Sequence, residues 1–286
     1  MTPHTQQTAA SCTVCPHECR LAPGAVGRCR ARGWQDGASA PLSYGRVTSL
    51  AMDPVEKKPL ARWKPGGLVL SAGSYGCNLR CPFCQNHTIA QVGADEVAWR
   101  HIAPEELVAL AAEARMRNPR VVGIAHTYNE PLVCWEYVRD VGVLAHEAGL
   151  ANVLVSNGCV QPWVADELAP LVDAANIDLK GFTDEYYRWC GGNLQAVCAC
   201  IERLCAEPGC HVEVTCLIVP ERNDDPAQMR ALAGWLAQVS TDITLHVTRY
   251  FPRWKMEGGY PTPVRTVYEL AEVAREVLPH VVVGNC

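Results

Sequence analysis

The chain has 286 residues, of which 49% are hydrophobic, enough for one large α/β domain or a main domain with a small appendage. Its net charge of −5 is uneven, because residues 1–65 carry nine Lys/Arg against four Asp/Glu, a balance of +5 that leaves −10 for the remainder. The acidic total makes nucleic-acid binding unexpected, and no stretch reaches the roughly 20 apolar residues of a membrane span. The basic N-terminal part indicates either a partner surface or scattered solvated charges.

From residue 67 onward, short apolar runs alternate with longer amphipathic segments. The runs predict strands at residues 67–73, 121–127, 152–158, 173–181, 211–219 and 242–248. The longer segments predict helices at residues 102–118, 131–149, 163–172, 183–206 with a break at Gly191-Gly192, 226–238 and 266–278. Repeated β-then-α units with Val-rich strands predict a parallel sheet with helices outside.

Six or seven such units in about 215 residues are too few for a closed eight-fold barrel, which needs roughly 250. We therefore expect the α/β class, as a partial (β/α)6 TIM-like barrel spanning residues 66–286. Residues 1–65 are expected to form a small Cys-rich N-terminal extension.

Sixteen cysteines fit either a disulfide-rich secreted fold or thiols used for metal. The first eleven residues, MTPHTQQTAAS, are polar and show no apolar signal segment. This favours a reducing, cytoplasmic compartment, where clustered thiols usually mean metal binding or catalysis. Cys198 and Cys205 fall in step with apolar residues on one helical face and are expected in the core.

Polar residues gather where the predicted strands end, which in parallel barrels is where the chemistry takes place. They are Cys77, Cys81, Cys84, Asn129, Glu130, Ser156, Asn157, Asp178, Lys180, Asn223 and, within the strand at 242–248, His246. The three cysteines follow the first strand of the repeated pattern, at spacings that allow one loop to supply three thiolates. A zinc site usually closes with four protein ligands, whereas a 4Fe-4S cluster held by three thiolates keeps one iron open.

The loop Cys77-Asn78-Leu79-Arg80-Cys81-Pro82-Phe83-Cys84 resembles the hallmark Cys-x3-Cys-x2-Cys of the radical S-adenosylmethionine (SAM) superfamily. The resemblance implies a partial barrel in which SAM itself chelates the open iron of a 4Fe-4S cluster. It also implies reductive cleavage of SAM to methionine and a 5′-deoxyadenosyl radical that abstracts a hydrogen atom. The fourth ligand is then the substrate-cofactor rather than a side chain.

Further motifs extend the resemblance over nearly the whole chain. They are CTVCPHEC (12–19), DPVEKKPL (53–60), Cys84-Gln85-Asn86 and TYNEP (127–131). Together they are similar to the AMMECR1/Memo/radical SAM group, which is homologous to the pyruvate formate-lyase activating enzymes.

The resemblance also implies the residues that contact SAM. It assigns the adenine to Phe83, the amino group to Asn129 and Glu130, and further contacts to Ser156, Asn157, Asp178, Lys180 and His246. Val155 replaces an acid that the activating enzymes carry before this Ser-Asn pair. Four of these residues also have a structural alternative: Glu130 as a helix-start acid, Asp178 and Lys180 as an ion pair, and His246 as a core residue.

Four cysteines precede the barrel, at Cys12, Cys15, Cys19 and Cys29. Four thiols can close around one metal without an outside ligand, so zinc and an auxiliary 4Fe-4S cluster are both candidates. Reduced cysteines without metal are the third alternative.

The motifs identify the radical generator more clearly than its target. The leading hypothesis is a radical SAM oxidoreductase that activates a glycyl-radical protein, with an electron donor such as flavodoxin or ferredoxin. Radical modification of a small metabolite or peptide is the alternative. A non-catalytic iron-sulfur electron carrier is disfavoured, because it would not use the TYNEP, Ser-Asn and Asp-x-Lys positions.

Overall fold

The computed structural model describes residues 8–286; the first seven residues of the polar N-terminal stretch lie outside them. The strands in chain order are β1 (Ala10–Ser11), β2 (Arg20–Leu21), β3 (Arg32–Gln35), β4 (Ala38–Pro41), β5 (Arg46–Val47), β6 (Ser49–Pro54), β7 (Leu68–Gly73), β8 (Arg100–His101), β9 (Val121–His126), β10 (Ala151–Ser156), β11 (Ala174–Asp178), β12 (His211–Ile218), β13 (Thr244–Arg249) and β14 (Val281–Gly284). The helices are α1 (His87–Ala90), α2 (Pro104–Arg117), α3 (Trp135–Glu147), α4 (Pro162–Leu168), α5 (Asp184–Cys190), α6 (Leu194–Cys205), α7 (Pro226–Val239) and α8 (Val264–Arg275). Short 3-10 turns occur at Val55–Lys57, Pro131–Cys134, Ala169–Leu171 and Trp254–Met256.

The main sheet has eight strands in the order β14-β13-β12-β11-β10-β9-β7-β6. Strands β7 and β9 to β14 run parallel, and β6 pairs antiparallel with β7 at one edge. Neighbours along the chain are thus neighbours in the sheet, and α2 to α8 lie in the connections between parallel strands. The predicted α/β class with a partial barrel is confirmed.

The helices begin and end where local chemistry predicts. Helix α2 starts at Pro104 with Glu105 and Glu106 in its first turn, where acids complement the helix dipole. The predicted break in the 183–206 segment occurs at Gly191, whose φ of +72° ends α5 in the left-handed region. A side chain at this position would be strained.

The N-terminal end of the barrel is closed by the segment between β6 and β7. Val55, Leu60 and Trp63 are buried against alternate residues of the neighbouring parallel strands, including Val69 and Val153. Because successive side chains of a strand face opposite sides, these residues mark the inner face of the sheet. The segment therefore fills the lower interior and leaves the other end open for a site.

A fully buried carboxylate, Glu213 on β12, fixes this plug. It accepts hydrogen bonds from the backbone N–H of Ala61 (3.0 Å) and of Arg62 (2.8 Å). The rings of His211 (2.9 Å) and His246 (2.6 Å) lie against the same carboxylate. Burial alone would raise the pKa of Glu213, but these hydrogen bonds lower it to about 2.

The sequence pattern before residue 67 did not predict strands, and the structure places several there. β6 pairs with β7 over six residue pairs, from Ser49↔Gly73 to Pro54↔Leu68. β1 with β2, and β3 with β4, form small two-stranded sheets. The division at residue 65 stays a prediction. Among residues 8–286, no helix is long and apolar enough to cross a membrane.

Glu213→Gln should lower the free energy of unfolding by about 3 to 5 kcal/mol, because it breaks a buried network by removing its charged acceptor. The folded-state pKa is depressed, so the carboxylate's contribution is present above pH 4.5 and is lost as the pH falls through about 2. Urea unfolding across this range should show the loss in the wild type and not in the variant. Glu257→Gln, at an exposed position, is the control, and an equal effect there would contradict this role of Glu213.

Candidate active site

A cavity of about 420 Å³ lies at the C-terminal ends of the parallel strands, within the usual range for small-ligand sites. Ten of the predicted site residues line it: Cys77, Cys81, Phe83, Cys84, Asn129, Glu130, Ser156, Asn157, Asp178 and Lys180. They come from the loops after β7, β9, β10 and β11, so the curvature of the sheet brings together residues more than 100 positions apart. His246 and the four N-terminal cysteines do not line this cavity.

The cluster loop, residues 76–86, supplies three thiols to the cavity. The Cys77 sulfur accepts hydrogen bonds from the backbone N–H of Leu79 (3.3 Å) and from Nδ2 of Asn157 (3.5 Å). Such donors stabilise negative charge on sulfur, and three thiols on one loop form a donor set that fits an iron-sulfur cluster. Within residues 8–286, no group of three or more His, Cys, Asp or Glu side chains is placed to hold a metal as it stands, and this includes the cluster loop.

A fourth thiol lies beside this loop. Cys190 is fully buried at the end of α5, and its interaction with Cys81 lowers the pKa of the Cys81 thiol. The backbone carbonyl of Cys190 accepts the N–H of Arg80 at 2.7 Å. The sequence offered no signal for this contact, because Cys190 precedes the Gly-Gly break and belongs to no motif. The contact exists because α5 packs against the loop.

Asn129 holds the backbone at the start of the cluster loop. Its Oδ1 accepts the N–H of Ser74 (2.8 Å), and its Nδ2 donates to the carbonyls of Tyr75 (3.1 Å) and Gly76 (3.2 Å). Both the oxygen and the nitrogen of the amide are thus bonded to the protein backbone. The structure gives Asn129 a positioning role, and its predicted SAM contact stays a prediction.

Glu130 is buried and ties the loops after β9 and β10 together. Its carboxylate accepts hydrogen bonds from the N–H of Leu132 (2.9 Å), from Oγ of Ser156 (2.7 Å) and from the N–H of Asn157 (2.8 Å). Burial raises the pKa of Glu130 to about 7, against the opposing effect of these bonds. A carboxylate has about four acceptor sites, so one remains for a ligand in the cavity. Glu130 is thus both a helix-start acid and a candidate for the SAM ammonium.

Asn157 bridges to the cluster loop. Besides its contact with Cys77, its Nδ2 donates to Oδ1 of Asn78 (2.9 Å), and its Oδ1 accepts the N–H of Cys159 (2.8 Å). Ser156 donates to Glu130 and accepts the N–H of Gly158 (3.0 Å). The Ser-Asn pair therefore connects the carboxylate to the thiol.

Two residues of the DPVEKKPL motif, Asp53 and Lys58, contact Tyr128, which lines the cavity. Asp53 accepts a hydrogen bond from the buried Lys58 (2.9 Å) and another from the hydroxyl of Tyr128, and the Lys58 ammonium lies 4.5 Å from the centre of the Tyr128 ring. Tyr128 has a φ of +74°, which is strained for a bulky residue. The buried pair holds Tyr128 in this conformation, and its carbonyl accepts a bond from Asn86 at 2.7 Å.

Asp178 and Lys180 both line the cavity and form an ion pair with 2.7 Å between Oδ2 and Nζ. Burial would lower the pKa of Lys180, but the Asp178 carboxylate raises it well above its usual value. The ion pair expected as the structural role of these two residues is therefore present. Both residues also line the cavity, where they are available to the carboxylate and the ribose of SAM.

Phe83 packs among aromatic side chains at the cavity wall. Its ring centre lies 5.5 Å from Trp189 and 6.4 Å from both Tyr186 and Tyr250. The residue is 5% exposed, so its edge can meet a ligand ring without moving.

The structure does not bring His246 to the cavity. It lies one inward-facing position before Thr248 on β13 and contacts Glu213 at the level of the plug, whereas Thr248 lines the cavity. Asn223 is also structural, because its side chain bonds the backbone of Val219, Lys180 and Leu217.

The sequence analysis missed several cavity residues. They are Gln85, Asn86, Gln91, Thr127, Tyr128, Thr215, Leu217, Thr248, Arg249, Tyr250, Phe251, Arg253 and Asn285. Those after β13 could have been found from their position alone, since they follow a parallel strand as the other site residues do. No motif marked those after β13, whereas Gln85, Asn86, Thr127 and Tyr128 belong to motifs from which no site role was assigned.

A partial α/β barrel with three loop thiols beside a polar cavity defines an enzyme built around an iron-sulfur centre. The chain belongs to the radical SAM superfamily, whose family model matches residues 72–233. The protein is therefore a radical SAM enzyme that uses a 4Fe-4S cluster and SAM, and the expectation for both cofactors is confirmed.

Relatives share this fold. An uncharacterized protein of Methanocaldococcus jannaschii, MJ0808, is 38% identical over 276 residues, which are 96% of this chain and 80% of that protein. A radical SAM methyltransferase from Sphaerobacter thermophilus matches with a TM-score of 0.59 at 17% identity, over 77% of this chain and 66% of that one. Streptococcus suis SuiB bound to S-adenosylmethionine matches with a TM-score of 0.58 at 11% identity, over 76% of this chain and 52% of that one. This chain spans about half the length of SuiB.

Cys77→Ala, Cys81→Ala and Cys84→Ala should each abolish SAM cleavage, because each removes one of three protein ligands. Anaerobically reconstituted protein should lose the electron paramagnetic resonance signal that responds to SAM. Cys205→Ala, on α6, is the control. Full cleavage in any of the three variants would refute the assignment.

Glu130→Ala should weaken SAM binding by about 1.5 to 3 kcal/mol, the cost of losing a hydrogen bond to a charged group, without changing the iron content. Titration calorimetry on the cluster-loaded protein measures the affinity. Glu147→Ala, at an exposed position on α3, is the control. An unchanged affinity would leave Glu130 with its structural role alone.

Proposed function

We propose that the protein abstracts a hydrogen atom from a polypeptide, as the activating enzymes of glycyl-radical proteins do. The observation that carries this proposal is the mouth of the cavity, where an exposed aromatic residue and arginines stand beside the cluster loop. A second substrate class, a small metabolite, would need only the cavity interior.

The segment after β13 forms this mouth. Phe251 is 44% exposed yet lines the cavity, and Arg249, which also lines the cavity, lies 4.8 Å from the centre of its ring. Arg253 is exposed and lines the same opening. Aromatic residues and arginine are enriched at protein interfaces and supply much of their binding energy. The composition supports docking of a polypeptide.

The mouth is attached to the cluster loop. The Trp254 ring stacks on His87 with centres 5.7 Å apart, and the N–H of Lys255 donates to the carbonyl of Pro82 at 3.1 Å. His87 itself lies 3.2 Å from the Cys84 carbonyl. A polypeptide held at Phe251 would therefore lie close to the radical source.

The side chains around the cavity have separate tasks in this reaction. Glu130 offers its remaining acceptor site to an ammonium, and the Asp178–Lys180 pair offers both charges to the carboxylate and ribose. Phe83 and its aromatic neighbours keep water from one wall. When bound, the cluster supplies the electron that cleaves SAM. The substrate C–H bond then breaks homolytically, its hydrogen completes 5′-deoxyadenosine, and the unpaired electron stays on the substrate.

The electron comes from a small carrier such as flavodoxin or ferredoxin under this proposal. Residues 1–65 carry the +5 balance, and Arg80 donates to the carbonyl of Cys77 at 3.0 Å and to that of Arg28. A basic surface near the cluster suits an acidic carrier, and its effect should weaken with salt.

The motifs CTVCPHEC, DPVEKKPL and TYNEP support placement in the AMMECR1/Memo/radical SAM group. All sixteen cysteines are unpaired, which supports a reducing cytoplasm.

Fractionation of substrate tests the proposal. Cluster-loaded protein, SAM and dithionite are incubated with anaerobic extract of the source cells, separated into fractions above 10 kDa and below 3 kDa. We expect the large fraction to accelerate 5′-deoxyadenosine formation and to acquire a carbon-centred radical signal. Acceleration by the small fraction alone would overturn the polypeptide proposal and favour a metabolite.

Variants localise the effect. Phe251→Ala with Arg253→Ala should reduce the acceleration by the large fraction at least tenfold, which corresponds to about 1.4 kcal/mol of lost binding. Tyr268→Ala removes an equally exposed aromatic side chain from α8 and should leave the acceleration unchanged. Equal losses in both would show that the mouth is not the docking site.

A further inference from the structure

The four N-terminal cysteines, which the radical chemistry does not use, converge on one side of the cluster loop. The N–H of Cys12 donates to the carbonyl of Cys19 at 2.9 Å, in register with the β1–β2 pairing, so the two residues face each other across the hairpin. Cys15 lies in the connecting turn, and a Cβ built on Gly27, two residues before Cys29, would lie 3.7 Å from the Cys19 sulfur. Cys12, Cys15 and Cys29 are each at most 7% exposed.

A backbone N–H faces one of these sulfurs: that of Arg28 donates to the Cys19 sulfur at 3.5 Å. A neutral thiol gains little from such a donor, whereas a metal-bound thiolate is stabilised by it.

The local charge also fits bound thiolates. Residues 12–32 contain four arginines and one glutamate, a formal balance of +3. A site of four thiolates and one divalent ion has a charge of −2, because four protons leave when the metal binds. Arg30 and Arg32 already pair with Glu96 and Glu136, so Arg20 and Arg28 are the arginines that can offset part of the charge of an occupied site.

We propose that Cys12, Cys15, Cys19 and Cys29 bind one zinc ion in a closed, four-coordinate site. In the structure these four side chains are not arranged around a common metal position. The same is true of Cys77, Cys81 and Cys84, although the family binds a cluster at those three residues. Binding in both places requires side-chain rotation. The site is separate from the cavity and does not depend on the proposed substrate.

Opposed residues on a hairpin favour a single ion over a cube. Cβ atoms of directly opposite residues lie about 4.5 to 5.5 Å apart. Thiolates on one tetrahedral zinc, at bonds of about 2.3 Å, stand about 3.8 Å from each other, which Cys12 and Cys19 reach by rotating toward the same point. A cube binds each thiolate to a different iron and holds them farther apart, which suits loops better than hairpin neighbours.

The zinc site would hold the cluster loop in place, because Cys29 and His17 contact the backbone of that loop. The carbonyl of Cys29 accepts the N–H of Cys77 at 3.1 Å, and the His17 ring lies 2.9 Å from the carbonyl of Asn78. Gly76, with a φ of +85°, leaves the Cys29 carbonyl so close that a Cβ would lie 2.4 Å from it. Cys29 of the proposed zinc site is thus joined by a backbone hydrogen bond to Cys77, a ligand residue of the cluster.

Metal analysis of anaerobically purified wild-type protein tests this assignment. We expect about one zinc and about four irons per chain, and a zinc X-ray absorption spectrum with four sulfur neighbours at about 2.3 Å. About eight irons without zinc would mean a second cluster, and four irons without zinc would mean no metal at these thiols. Either result, or zinc bound by nitrogen and oxygen, would overturn the proposal.

A substitution locates the ion. Cys19→Ser changes the most accessible of the four thiols and should reduce the zinc content at least tenfold, because a closed site loses one of four ligands. Cys205→Ser, which changes a partly buried cysteine on α6, should leave the zinc content of the protein unchanged. Zinc retained in full by Cys19→Ser would place it elsewhere in the chain and overturn the proposal.

Discussion

The buried carboxylate of Glu130 is the interaction on which the arrangement of the site depends. It joins Leu132, Ser156 and Asn157, which belong to the connections after two neighbouring strands. Asn157 continues the network to Cys77, and Asn129 holds the same loop from the other side. Burying a carboxylate is costly unless hydrogen-bond donors surround it. The three donors to Glu130 therefore hold these loops in place relative to one another before any ligand binds.

A second buried carboxylate performs the same task at the opposite end of the barrel. Glu213 binds the backbone of Ala61 and Arg62 and thereby retains the segment that fills the lower interior. The two networks divide the inside of the sheet into a packed lower part and an open upper part. Val55, Leu60 and Trp63 fill the lower part, and His246 lies at the level of Glu213 rather than at the cavity.

The N-terminal segment belongs to the working structure of the barrel. β6 extends the sheet, Asp53 and Lys58 hold the strained Tyr128, and the Cys29 carbonyl bonds the backbone of Cys77. The cluster loop is therefore held at Cys77 by Cys29 directly and at Asn86 by Asp53 and Lys58 through Tyr128. A proposed zinc ion at the four cysteines would stiffen this support without entering the cavity.

The sequence by itself determined the radical SAM class, the partial barrel and most of its element bounds. Three thiols at fixed spacing and the alternation of buried strands with helices are local patterns, which a linear chain displays without folding. It also identified ten residues that line the cavity, because each follows a parallel strand. Only the tertiary structure decided that the amides of Asn129 and Asn157 bond to protein groups, that His246 lies below the cavity, that Cys190 lies beside the cluster loop, and that Phe251 lines the cavity. These roles depend on side-chain direction and on contacts between distant segments, neither of which sequence spacing specifies.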